Sequence, residues 1–510
     1  MKLAPRSAVR PLLALVTCGA ALAACESQTP MPQLNDHGYI DYQSVPECDP
    51  TVSVDKDSPA LIITDPEALA GLQLEAVMKQ LLSRWSDTYT TPLELAQQLF
   101  DGSNNEAAAV FYDNAHCDSP DNPAHANGPA AFCPRSEGAL AASTGLFTPG
   151  HKDHFFPVAV VNRFDLTPAV GSTCGEARIV YAKESGLTDP NDRVFLIVEA
   201  AVPNPKFGQL FGCRPVAQFW KSLESEPDAK AIGERLESFF MIGLEGGPAP
   251  LDPINLGFGT SNGASYYGTG GQIRLSQHMD EHWEMRHLVA SAPICLGFDP
   301  VPVGNNPLPG LFGPTSGQPT PQQQAFADNF TSLSVETLAS SKLHHIRATF
   351  GPDDLSGESA LGGDRVNDYV ARAKDNSYLR GAIQQKLADA KLGADCPSDD
   401  PLTADSILRR ATMDSCAGCH APRQFLGEER KIGCGMTWPD SLGEVHIDEA
   451  GQLSPALKEV FLPHRADVLT AFLQACDAAA IDDAFGLPPG SGGSTKALDA
   501  RRTIGGSATH

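Results

Sequence analysis

The sequence predicts a multidomain α+β protein. It reads as a mixed, mostly-β central domain with helical insertions, followed by a small all-α unit near the C-terminus. Three observations carry that reading. Short β-branched and apolar runs bounded by Gly, Pro or Asp recur between residues 155 and 300. On both sides of them, apolar residues return at three- and four-residue spacing, the pattern of amphipathic helices. Stretches rich in Pro and Gly interrupt the chain, whose 510 residues exceed a single core of about 150 residues.

Lys2, Arg6 and Arg10 precede the apolar stretch 11–24, which is shorter than the ~18 residues a permanent membrane helix needs and reads as a signal peptide over 1–24. Residues 25–58 lack apolar periodicity and read as a tether. Residues 59–154 form a helical and loop region, with helices expected over 66–87 and 92–102, Pro92 in the first turn of the second, and a loop over 113–153. In the mostly-β domain, 155–300, strands are expected over 156–166, 177–184, 193–202, 268–279 and 283–290, with helices over 214–224 and 230–243. A Pro/Gly linker over 301–321 leads to a helical region, 322–396, with helices over 324–338 and 376–391. The last unit spans 397–480, and 481–510 has the composition of a disordered tail.

The formal charge of −25 falls to −28 once Lys2, Arg6 and Arg10 leave with the signal. A chain this acidic repels nucleic acid and anionic lipid heads, so its diffusing partners are expected to present a neutral or basic face. Thirteen cysteines fit an oxidising compartment. Cys117 with Cys133, and Cys174 with Cys213, are the two pairings the spacing suggests.

The stretch 413-MDSCAGCHAPRQF-425 carries the sharpest chemistry. Thr403 reads as the N-cap of a helical stretch running into it, with Ile407, Leu408 and Ala411 on one face. Two cysteines three residues apart on a helical turn project to nearly the same side. The stretch resembles the attachment site of c-type cytochromes, over about the last 80 residues. That resemblance implies one covalent haem c, with thioethers at Cys416 and Cys419 and His420 as the proximal iron ligand. It also implies a cytochrome c-like fold for 397–480. Met436, in a Gly-flanked loop, and His446 are the sixth-ligand candidates, with His464 behind them; Met436 lies nearer the haem motif than is usual in that family. Two other chemistries use the same atoms: a Cys416–Cys419 disulfide, and a zinc site built from Cys416, Cys419, Cys434 and a histidine.

Residues Leu22-Ala23-Ala24-Cys25 resemble the lipobox of bacterial lipoproteins. The resemblance implies cleavage before Cys25, a diacylated Cys25 thiol and membrane attachment through that lipid alone. Glu26 in second place favours the outer membrane of a bacterial envelope, with the protein facing the periplasm or the surface.

The cluster 278-HMDEHWEMRH-287 concentrates His278, His282, His287, Met279 and Met285, but strand alternation would split these side chains between two faces. His344 and His345 read as structural. The function expected from the sequence is a lipid-anchored, c-type cytochrome-like electron carrier with a redox partner protein. The alternatives are a haem-dependent oxidoreductase whose substrate domain is residues 60–394, and a non-haem envelope binding lipoprotein holding the Cys416–Cys419 disulfide.

Overall fold

The computed structural model describes residues 48–103, 116, 134–244, 248–258, 270–280, 283–291, 296–301, 306–313, 318–350, 354 and 367–476. The signal, Cys25, most of the tether, Cys117, Cys133, His282 and the C-terminal tail lie outside them. No helix among the described residues is long and apolar enough to cross a membrane.

The chain is a mixed α/β protein built on a seven-stranded antiparallel sheet in sequential order. Its strands are β1 (Ile62–Ile63), β2 (Phe155–Arg163), β3 (Thr173–Lys183), β4 (Val194–Pro203), β5 (Gln272–Gln277), β6 (Glu284–Ser291) and β7 (Gly297–Val301). Strands β2 to β6 coincide with the β-branched runs read from sequence. The register sets Arg178 opposite Val161 and Glu199, Ile197 opposite Val180 and Arg274, and Ser276 opposite Phe195 and Met285. Alternation therefore collects these residues on one face. The other face carries Ile179, Tyr181, Leu196, Val198, Ile273 and Leu275, all buried.

On that second face, the Tyr181 hydroxyl donates to the Leu72 carbonyl at 2.8 Å, just before helix α1 (Leu74–Trp85). Helix α1 buries Val77, Met78 and Leu81 along one stripe. Helix α2 (Pro92–Asp101) opens on a reciprocal cap between Thr91 and Glu94, with Pro92 in its first turn. Helices α3 (Arg214–Ser222) and α4 (Ala229–Met241) follow β4, and α5 (Pro321–Leu333) and α6 (Ser377–Asp389) follow β7.

The stretch read as a linker is packed where it is described. Leu311 and Phe312 are buried, and Phe312 stacks on Tyr369 with ring centroids 4.1 Å apart. Burial of two large apolar side chains outweighs the turn-forming tendency of the prolines and glycines around them.

The C-terminal residues continue the same core. One cluster of buried apolar side chains runs from Val54 to Ala475 and includes both the sheet and the last helices. Those helices are α7 (Ala404–Met413), α8 (Cys416–His420), α9 (Pro422–Leu426) and α10 (Leu462–Gln474). A hairpin of β8 (Lys431–Gly433) and β9 (Met436–Thr437) interrupts them, so the region is not purely helical. Among the described residues, disulfides join Cys48 to Cys476, Cys174 to Cys213 and Cys396 to Cys434. The second is the pairing its spacing suggested. The third occupies the Cys434 sulfur that a zinc site would need.

Candidate functional site

Thr403 caps α7 as its position predicts, in a reciprocal arrangement with Ser406. The helical stretch does not run unbroken to Cys419. It ends at Met413 and restarts after Ser415, whose side chain accepts from the Gly418 amide and caps α8. The Asp414 carboxylate accepts from the Ala348 amide at 2.7 Å, which holds the break. Gly418 is needed here because a Cβ at that position would lie 1.9 Å from the Thr412 carbonyl oxygen. Sequence periodicity could not show a break produced by a cap and a tertiary hydrogen bond.

Cys416 and Cys419 sit three residues apart on α8, both buried and neither in a disulfide. The disulfide of the non-haem reading is therefore not formed in this structure. Burial pushes the Cys419 thiol well above its ordinary pKa, and its sulfur lies 3.0 Å from His446 Nε2. His446 Nδ1 in turn lies 2.9 Å from the Ser454 hydroxyl.

His420 Nδ1 contacts the Glu444 carbonyl oxygen at 2.6 Å. A carbonyl only accepts, so Nδ1 carries the proton and Nε2 keeps its lone pair. Burial pushes the imidazole pKa down to about 4, which leaves it neutral at pH 7. A neutral ring with its second nitrogen anchored to a carbonyl is the state in which histidine ligates metals. Glu444 places that carbonyl from left-handed backbone, at φ 69°, an uncommon conformation for a non-glycine residue that surrounding structure must hold. Arg193 supplies much of that hold. It grips Glu449 through two nitrogens at 2.9 and 2.8 Å and donates to the Gly443 carbonyl at 2.8 Å.

Trp283 stacks on His420, with ring centroids 4.9 Å apart, and its indole donates to the Ser276 hydroxyl at 2.8 Å. Ser276 is then free to donate to His278 Nε2, 3.1 Å away. Trp283 and Met285 also cluster with Cys416, Ala417 and Ala421. Residues of the 278–287 cluster thus converge on the Cys416–His420 turn. Their relation to it was hidden because more than a hundred residues separate them along the chain.

Between α8 and the first face of the sheet lies a cavity of about 790 Å³, counted to its open mouth. Val180, Ile197, Val445, Leu457 and Phe461 make much of its wall apolar, and His420 and His446 open onto it. Leu457–Phe461 form a π turn leading into α10, a widening often found at functional sites. The thioether on the wall is that of Met285. Met436 is half-buried on β9 and packs against the main core, and it is not among the residues lining the cavity. His464 is buried near Asp165, at the start of α10, and also does not line it.

Arg178, Arg274 and Arg465 project onto the cavity. Glu199, fully buried, pairs with Arg178 at 3.2 Å and with Arg274 at 3.1 Å, and Glu176 pairs with Arg178 at 2.7 Å. Arg163 is held by Asp165. Arg465 stands beside the same Asp165, and its Nη1 is buried without a hydrogen-bond partner among the described residues. Buried guanidinium groups crowded around shared carboxylates favour a further anionic group beside them.

Comparison of the chain with known proteins found no matching family model, no similar curated protein and no similar solved structure.

Proposed function

We propose that this chain is a lipid-anchored, c-type cytochrome-like protein that holds one covalent haem and carries electrons in a bacterial cell envelope. One observation supports the reading above the others: two buried cysteines outside any disulfide share a single helical turn with a neutral, anchored histidine, and that histidine lines a largely apolar cavity. Cys416 and Cys419 would hold the porphyrin and His420 the iron, with the region 397–480 acting as a cytochrome c-like unit closed by the sheet. His446 is the sixth-ligand candidate that lines the cavity.

The donor set fits haem. An apolar wall suits the macrocycle, and the guanidinium groups of Arg178, Arg274 and Arg465 on the cavity suit the carboxylates that haem carries. Bound iron would supply one-electron chemistry at a potential set by its axial ligands and by burial. The residues of this chain do the remainder. Glu444 fixes the His420 tautomer, Trp283 fixes its ring plane, and the apolar wall excludes water. Cys25 would carry the lipid, and a redox partner would dock through a neutral or basic face.

The test is a reduced-minus-oxidised spectrum of protein made in cells competent for cytochrome maturation, recorded before and after acid–acetone extraction. Haem bands that remain with the polypeptide support the reading, and a colourless polypeptide refutes it.

A further inference from the structure

We infer that His344, His345 and Asp467 form a binding site for a divalent transition-metal ion of the zinc and copper class. The site is independent of the cavity and of the haem reading. His344 and His345 stand on the single helical turn Leu343–His345, and Asp467 stands on the outer face of α10. One ligand atom from each, two imidazole nitrogens and a carboxylate oxygen, lies within 4.8 Å of the other two.

The spacing suits a shared metal ion and is looser than a hydrogen-bonded pair. His344 Nε2 and His345 Nε2 lie 3.5 and 3.6 Å from the same oxygen, Oδ2 of Asp467. A nitrogen–oxygen hydrogen bond is shorter, about 2.7–3.2 Å. Two ligands on a tetrahedral ion, each about 2.0–2.2 Å from it, stand roughly 3.3–3.5 Å apart. Both nitrogens therefore stand from the Asp467 oxygen at about the edge length of a coordination polyhedron rather than at hydrogen-bonding distance.

The rings are held apart rather than stacked, with centroids 4.5 Å apart and planes at 82°. Ile346, fully buried, and the bond from its amide to the Leu343 carbonyl anchor the turn that carries them. Asp467 is flanked by buried Ala466 and Val468 on a helix of thirteen residues, so its backbone is fixed. Side-chain exposures of 28%, 44% and 52% leave the triad open to ions from solution. Two imidazoles with one carboxylate favour zinc, copper or nickel over calcium or magnesium. Three protein ligands also leave coordination positions for water.

The test is calorimetric titration of the full mature chain with zinc sulfate, run on the wild type, His345→Ala, Asp467→Asn and the Cys416→Ser/Cys419→Ser pair. The last variant removes the thiols that could capture zinc in haem-free molecules. The expected result is one zinc equivalent bound at about 10 µM or tighter, retained by the cysteine pair and weakened tenfold or more by either triad substitution. Both triad side chains are solvent-accessible, and unchanged melting curves would show that the variants fold. Zinc affinity equal in wild type, His345→Ala and Asp467→Asn would overturn the inference, as would no binding to the cysteine pair below about 1 mM.

Discussion

At the scale of single residues, the site rests on groups whose charge the fold controls. Burial, reinforced by Arg274 and Arg178, pushes the His287 imidazole well below its ordinary pKa. The folded chain keeps it neutral, whereas the unfolded chain takes up a proton below about pH 6.5. Its contribution is complete above that pH and is lost as the pH falls below it. Urea midpoints should therefore decline from pH 7.5 to 5.5 in the wild type and decline less in His287→Asn. Equal slopes would contradict this. Arg465 makes the opposite kind of prediction. Arg465→Met removes a buried cation with an orphaned nitrogen, so the haem-free chain should gain about 1–2 kcal/mol. The same change should lower haem yield in a maturation-competent host, and yields equal to wild type would argue against a role for Arg465 in holding haem carboxylates.

At the scale of elements, the loop 443–449 carries both the carbonyl that orients His420 and the ring of His446. Its tie to the sheet is the buried Arg193–Glu449 pair. Glu449→Gln leaves a guanidinium short of its counter-charge and should cost about 3 kcal/mol, read as a fall in the chemical-denaturation midpoint. It should also alter the haem spectrum, and a stability loss with an unchanged spectrum would separate the loop from the iron. The five long strands and the major helices were readable in the sequence because period-2 and period-3.6 patterns report burial directly. Strand β1, with two residues, and β7, reading Gly-Phe-Asp-Pro-Val, were not; neither shows alternation, and both exist through pairing with a neighbour. The site was half-readable. Cys416, Cys419 and His420 stand out by spacing, whereas Met285, Arg178 and Arg274 are brought there by strand register, Trp283 by the turn before β6 and Arg465 by α10. Met436 was read as facing the iron from loop composition, but its hairpin packs against the core instead.

At the scale of the whole molecule, Cys48 and Cys476 join the two ends of the described chain across 428 residues. Closing a loop of that length removes a large share of the unfolded chain's freedom, about 6 kcal/mol on the chain-entropy view. The Cys48→Ser/Cys476→Ser pair should melt at a clearly lower temperature while keeping the haem spectrum, because the site lies inside the core and not at the clasp. Loss of the spectrum in a folded variant would contradict that separation. One core shared by the sheet and the C-terminal helices also means that the Cys416–His420 turn is braced by strands from a distant part of the sequence. Such a brace would give the proposed haem a buried setting that a free-standing unit of 80 residues would have to build by itself.

Intact mass of the mature protein from a maturation-competent host tests the covalent haem most directly. The wild type should exceed its polypeptide and lipid mass by on the order of 600 Da, the weight of a tetrapyrrole joined through two sulfurs, and Cys416→Ala/Cys419→Ala should show no such excess. A wild-type mass with nothing attached beyond the lipid would contradict it.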